Sequence, residues 1–412
     1  MNGAGVAQRD VEWGLKVLKD MVAIPTVNPP GEHYREFAGY AREVLESLGL
    51  EARVVEVPAS YVEKYYPDYA KYPRYVVYGR YGEGRPVLHF NGHYDVVPPG
   101  SGWTKKPFEP VVEGEKLYGR GSSDMKGGIA AFLVALKSLI ESRRPIRGSV
   151  EVALVPDEEI GGETGTGYVV RELKARPDYV VIGEPSGSET VWIGHKGAVW
   201  ALVEVYGRQA HGSTPWLGVN AFEYMVRLAH RLMTEYVPLL DFRKSAYEYD
   251  DPRGAKPTVN IGGEVRGGVK VNVVPGYMAF SIDRRVTPDE RLEEAEKELV
   301  EFIKKASEGF GEVRVEVKIT NRLPPALTDP GSPFVKAVRE AAARVLGKEP
   351  RLTVCLGGLD MRFYTEVGIP TVTYGPGLLG VAHVADEYLP LSELEKMSRV
   401  YYAIVEKLLA GT

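Results

Sequence analysis

Cysteine is nearly missing. Cys355 is the single one in 412 residues. No internal disulfide can form, which excludes a disulfide-stapled scaffold and points to a reducing cytoplasm. No apolar run reaches the roughly 18 residues of a membrane span. The opening MNGAGVAQRDVEWGLKVLKD has no basic segment followed by an apolar one, so no secretory signal is expected. Positive charge is not in excess: 51 Lys and Arg face 56 Asp and Glu, a formal net charge of -5. A mildly acidic chain of mixed sign does not read as a nucleic-acid binder, and no run of like charge reads as an interaction tail. Asn and Gln are scarce beside Glu, Arg, Lys and Tyr, a bias seen in thermophile proteins that says nothing about chemistry.

What is present is ample core material. Hydrophobic residues make up 44% and charged residues 26%, ordinary for a soluble globular protein. The length exceeds one typical core, so two domains or more are expected. Periodicity predicts helices over 11–21 and 36–48 and a strand over 52–57; the Tyr-, Lys- and Pro-dense stretch 61–75 reads as an irregular surface excursion. Four short apolar runs, 87–90, 149–155, 179–182 and 371–374, each lead into a polar loop. Such near-continuous runs suit buried strands of a mostly parallel sheet. Helical stretches at 127–142, 166–175 and 333–346 complete an α/β layer fold. Ligands of such sheets bind at the carboxyl ends of the strands, where all four runs place ionisable groups: His93 and Asp95, Glu158 and Glu159, Glu184, and His383.

The middle of the chain differs. A strand over 198–206, a helix over 221–233, strands over 257–265 and 273–285, a helix over 291–306 and a strand over 313–320 give the order β-α-β-β-α-β of a ferredoxin-like module. The expected architecture is a discontinuous catalytic domain, residues 1–192 and 321–412, with an inserted domain at 193–320.

Imidazole and carboxylate donors together suit zinc, and a carboxylate can bridge two ions through its two oxygens. Asp124 lies in a Gly-rich turn before a helix, where a capping Asp is the ordinary alternative. Asp95 could fix the tautomer of His93; a turn Asp beside a loop His is the plain alternative. Glu158 and Glu159 are adjacent after a strand, so one could ligate while the other takes a proton from water. An exposed acidic loop explains them equally well one at a time, as loop residues explain Glu184 and His383. Chance convergence of all five donors, His93, Asp124, Glu159, Glu184 and His383, on one rim is the less economical reading. The Gly-rich 161–167 lacks the Gly-Lys-Ser/Thr ending of a phosphate loop, and Gly119-x-Gly121 lacks the third glycine of a dinucleotide loop. Ser122 and Ser123 have no elbow context for a nucleophile, and Cys355 reads as packed.

The motifs NGHYDVVPPG, LYGRGSSDMKGG, VPDEEIGG, IGEPS, AHGSTPWLGVNA, GGLDMRFY and GPGLLGVAHVADEYLP cover most of the chain. In this order they resemble the metallopeptidase family of acetylornithine deacetylase, succinyl-diaminopimelate desuccinylase, aminoacylase and bacterial glutamate carboxypeptidase. The resemblance implies that Asp124 bridges two metals, with His93 and Glu184 on one and Glu159 and His383 on the other. It implies Glu158 as general base and Asp95 as the partner of His93. It also implies that the inserted domain dimerises the protein and that its His211 stabilises the oxyanion in the partner subunit's site. Asn260 and Arg285 resemble substrate-contacting positions of the same domain, and Arg362 is a candidate for holding a substrate carboxylate. Family aminopeptidases tend to have Asp where Glu184 stands, so Glu184 looks more like the deacylases and carboxypeptidases. The stretch 357–362 departs from the family in lacking a Thr or Ser before Asp360.

The expectation is therefore a homodimeric hydrolase with two divalent ions, zinc before cobalt or manganese. It would cleave the amide bond of an N-acyl amino acid or short peptide with a free carboxylate. A carboxypeptidase or dipeptidase of the same family is the near alternative, and a non-catalytic metal-binding module the distant one. No nucleic-acid or membrane partner is expected.

Overall fold

The computed structural model describes residues 5–410, which divide into two compact units. The first runs through Ile193 and includes Thr328–Leu352 and the chain from Leu359 on; the second comprises Gly194–Leu327 and Thr353–Gly358.

The first unit is built on a mixed sheet. Its centre is four parallel strands in the spatial order Gly148–Val155, Val87–His93, Tyr179–Ile182 and Thr371–Thr373. These are the four apolar runs, and nearly every residue in them is buried, as expected for strands covered on both faces. Strands Arg74–Glu83 and Glu51–Val57 add antiparallel on one side, and Thr373 pairs antiparallel with Trp192 on the other. Helix Lys126–Glu141 is apolar nearly all round and buried to match, packed between Gln8–Ala23 and Leu391–Leu409. The stretch 61–75 is more ordered than expected. Helix Ala59–Tyr65 buries Val62, and Arg74 and Tyr75 begin a sheet strand with their side chains buried. Arg74 tolerates burial because Asp157 takes its Nε at 2.7 Å.

The second unit has the order β-α-β-β-α-β, with strands Gly197–Tyr206, Thr258–Gly267, Tyr277–Val286 and Arg314–Leu323. They form one antiparallel sheet in which Gly197–Tyr206 lies between Tyr277–Val286 and Arg314–Leu323, with Thr258–Gly267 at one edge. Helices Ala221–Arg231 and Leu292–Ala306 cover one face, burying Leu228, Leu299 and Ile303 against Val203, Val205 and Phe280. The first helix runs on past 233 through a π-helical turn, Leu232–Tyr236, into Val237–Asp241. Pro238, which has no N–H to give the helix, follows directly on that π-helical turn.

Candidate metal centre

His93 is the last residue of its strand, and only 1% of it is exposed. Its Nδ1 lies 3.0 Å from the backbone oxygen of Asp95 and 3.5 Å from Asp95 Oδ1, which fixes the proton on Nδ1. Nε2 is thereby left as a lone pair, 3.2 Å from Asp124 Oδ1 and 3.4 Å from Glu184 Oε1. The other oxygen of Asp124, Oδ2, lies 3.2 Å from His383 Nε2, which is 3.1 Å from Glu159 Oε2. The five groups thus form a chain, Glu184–His93–Asp124–His383–Glu159, with Asp124 turning one oxygen to each imidazole. Glu158 belongs to the same cluster: it offers a carboxylate oxygen within 4.8 Å of donor atoms of His93 and Glu184.

Local backbone chemistry places these groups. Asp124 precedes helix Lys126–Glu141, and Gly128 in its first turn lies against the loop that carries Glu184; a Cβ there would meet Gly183 O at 1.9 Å. Only glycine lets the Asp124 turn and the Glu184 loop approach so closely. Asp95 joins two loops, accepting the N–H of Glu158 on Oδ1 (3.3 Å) and that of Glu159 on Oδ2 (3.2 Å). Asp157, in the left-handed region at φ 66, points away from the cluster. It accepts from Arg74 Nε, Tyr34 OH (3.0 Å) and Asn28 Nδ2 (3.0 Å). Buried Glu387 accepts the N–H groups of Gly121, Ser123 and Asp124 and pairs with Arg120 at 2.6 Å. Asp157 and Glu387 stand inside quoted motifs, but nothing in their spacing separates a buried pin from an exposed loop carboxylate.

The electrostatics of the cluster call for cations. Burial, then the charge of Glu184, pushes the Glu158 carboxyl well above its usual range. Burial raises Glu184 to about 7 although His93 opposes it. Burial also raises Glu159, against the hydrogen bond from His383. Burial would raise Asp124 too, but the two imidazoles outweigh it and hold Asp124 low. Glu184 Oε1 is buried without a hydrogen-bond partner. Two imidazoles do not balance four enclosed carboxylates, and leaving such charge uncompensated is costly. Donors held about 2.0–2.2 Å from one tetrahedral ion sit roughly 3.2–3.6 Å apart, and the observed spacings fall in or next to that window. The donor set therefore fits divalent cations, with one oxygen of Asp124 turned to each imidazole.

Residues 89–407 match the model of Peptidase family M20/M25/M40. The chain belongs to this family. As an M20 family member it is a metal-dependent hydrolase. It is 34% identical to a succinyl-diaminopimelate desuccinylase of Gluconobacter oxydans, over 80% of this chain and 84% of that one. It is 28% identical to an uncharacterized metallohydrolase of Methanocaldococcus jannaschii, over 96% and 99%. A metallo-carboxypeptidase of Sulfolobus solfataricus shares the M20 fold with a TM-score of 0.74 at 23% identity, covering 96% of this chain and 98% of that one. Within the described residues no helix is long and apolar enough to cross a membrane.

The remaining candidates of this M20 protein sit as follows. Arg362 is buried and spends donors on the carbonyls of Leu359 (2.8 Å) and Gly161 (2.5 Å), the latter in the loop after Glu159. His211, Asn260 and Arg285 belong to the second unit. His211 is exposed on a two-residue strand paired with Val273–Val274, its Nδ1 engaged by Ser213 at 2.7 Å. Asn260 and Arg285 lie on neighbouring strands, and Arg285 Nε donates to Asp283, the residue opposite Asn260.

Proposed function

We propose that this protein is a two-zinc hydrolase that cleaves the amide bond of N-acyl amino acids or short peptides with a free carboxylate, as a deacetylase or desuccinylase does. The observation that carries the reading is Asp124, whose two oxygens face two different imidazoles, each of which faces a further carboxylate. His93 and Glu184 would hold one ion, and Glu159 and His383 the other. Nitrogen and oxygen donors of this kind suit zinc and tolerate cobalt or manganese. The 34% identity to a desuccinylase and the Glu at 184 favour an acyl-amino acid over an aminopeptidase substrate.

When bound, the cations polarise the scissile carbonyl and make water acidic enough to lose a proton near neutral pH. The chain's own residues do the rest. Glu158 takes that proton on its carboxylate as water attacks the amide carbon, and returns it to the leaving nitrogen. Asp95 keeps the His93 proton on Nδ1 and fixes the backbone of the Glu158 loop. His211 donates to the developing oxyanion, a role suited to its free Nε2. Arg362, Asn260 and Arg285 would meet the substrate's polar groups.

A homodimer through the second unit is part of this reading. Its strand Thr258–Gly267 is an exposed sheet edge, and Phe222, Val226 and Met233 form an exposed apolar stripe along one helical face. Both features are ones a partner would cover. A panel of acetyl-, succinyl- and peptidyl-amino acids, assayed before and after chelator dialysis, tests the proposal. Metal-dependent release of an acyl group from amino acids is expected. Preference for peptides would favour the carboxypeptidase or dipeptidase alternative, and metal binding without turnover the binding module.

A further inference from the structure

The first unit has a second cleft, of about 520 Å³, at the amino end of the Val87–His93 strand, opposite the end that bears His93. Six residue steps of strand separate the two ends, about 20 Å. Arg53, Arg80, Arg85, Lys174 and Arg176 line the cleft against only two carboxylates, Glu51 and Glu151. Asp178 pairs with Arg85 at 2.7 Å. Among the described residues no carboxylate pairs with Arg53, Lys174 or Arg176. Arg53 lies over the ring of Tyr78, and Arg176 donates to the carbonyls of Val170 and Ala175.

The floor is rigid. Glu151, whose side chain is 9% exposed, accepts Arg80 Nη1 at 3.2 Å on its open side, and Arg80 Nη2 donates to Ser149 Oγ at 3.0 Å. On its closed side Glu151 meets His89 Nδ1 at 3.3 Å. A buried chain continues from there. Tyr364 OH donates to His89 Nε2 (2.9 Å), Asn91 Nδ2 donates to both Tyr364 OH (3.0 Å) and Thr166 Oγ1 (3.1 Å), and Thr166 donates to Asp360 (2.6 Å). Both ring nitrogens of His89 are engaged, Nδ1 by Glu151 and Nε2 by Tyr364. These long-range hydrogen bonds restrain the members of the chain, so Glu151 is anchored from its buried side and holds Arg80 in place.

We propose that this cleft binds a small phosphorylated metabolite. The phosphate would sit among Arg53, Arg80 and Lys174, since guanidinium forks and an ammonium match its oxygens. The organic part would lie against Tyr78 and Leu173. The volume is that of an ordinary small-molecule site. The site is distinct from the metal centre and uses none of its residues.

Calorimetric titration of the metal-loaded protein with inorganic phosphate, at constant ionic strength, tests this. One phosphate per chain is expected in the cleft. The double variant R53Q/K174Q alters two exposed side chains, so metal content and melting temperature should not change. Its phosphate affinity should fall at least about tenfold, the effect of losing charge-assisted hydrogen bonds. Phosphate held by the metals instead would bind the variant and the wild type equally, and that result, or no binding at all, overturns the proposal. The readout is binding, so the result stands whether or not the hydrolase reading holds.

Discussion

Glu387 Oε1 accepts the backbone N–H of Asp124 at 3.0 Å. Its other oxygen takes Arg120 at 2.6 Å, and neither residue reaches solvent. The carboxylate proposed to bridge the ions is thus presented by a turn that a second carboxylate, 263 residues away, holds shut. Glu387→Gln should lower metal affinity by about 10–100-fold, as loss of an outer partner of a ligand does. Glu387→Ala should also destabilise the protein by about 3–5 kcal/mol, because Arg120 is left buried and unpaired. Competitive chelator titration and urea unfolding measure the two effects. Unchanged metal affinity in Glu387→Gln would show that the clamp does not matter to the site.

The adjacent glutamates should separate cleanly. Glu158→Gln keeps the size and removes the base, so both metals should remain while turnover falls by about 10²–10⁴-fold. Glu159→Gln should instead lose one metal. Metal analysis with steady-state kinetics decides between them, and the reverse pattern would swap the two assignments. Glu158 lies close enough to His93 and Glu184 to make that swap a real alternative.

His211 supplies a test of assembly. If it completes the partner subunit's site, Glu158→Ala and His211→Ala chains, each inactive alone, should complement when mixed. Random exchange makes half the dimers mixed, each with one whole site, so about a quarter of wild-type activity should return. No recovery, with exchange shown independently, places His211 in its own subunit's chemistry or outside it.

The second unit should be acid-sensitive through Glu290. Burial alone would raise this carboxyl, but hydrogen bonds from Arg284 (2.6 Å) and the N–H of Thr287 (3.0 Å) hold it below its usual range. A carboxyl depressed in the folded state contributes stability above its unfolded pKa, about 4.3. That contribution fades as pH falls through the folded value. Glu290→Gln should therefore lower the urea midpoint at pH near 7, and the gap to wild type should close below about pH 4. A gap that persists in acid would assign the loss to packing.

Much of this was legible in the sequence, for reasons that differ by element. The parallel strands read as continuous apolar runs because both faces are covered, and each run ends at its polar loop, so His93, Glu158, Glu159 and Glu184 stand out. The second unit's strands and helices keep their own periods, which fixes the β-α-β-β-α-β order. Strand Arg74–Glu83 was hidden because it opens on Arg74, a charge made tolerable only by Asp157, 83 residues on. The clamping roles of Asp157 and Glu387 and the His89–Tyr364 contact depend on burial and long-range pairing, which local spacing does not encode.

The central claim is that Asp124 bridges two ions. Metal analysis of wild type and Asp124→Asn after dialysis against trace zinc tests it most directly. An amide cannot serve both ions as a carboxylate does. The expected result is two ions per wild-type chain, one or none in Asp124→Asn, and one retained in Glu184→Gln. A wild type that takes only one ion, or an Asp124→Asn chain that keeps two, would contradict the account.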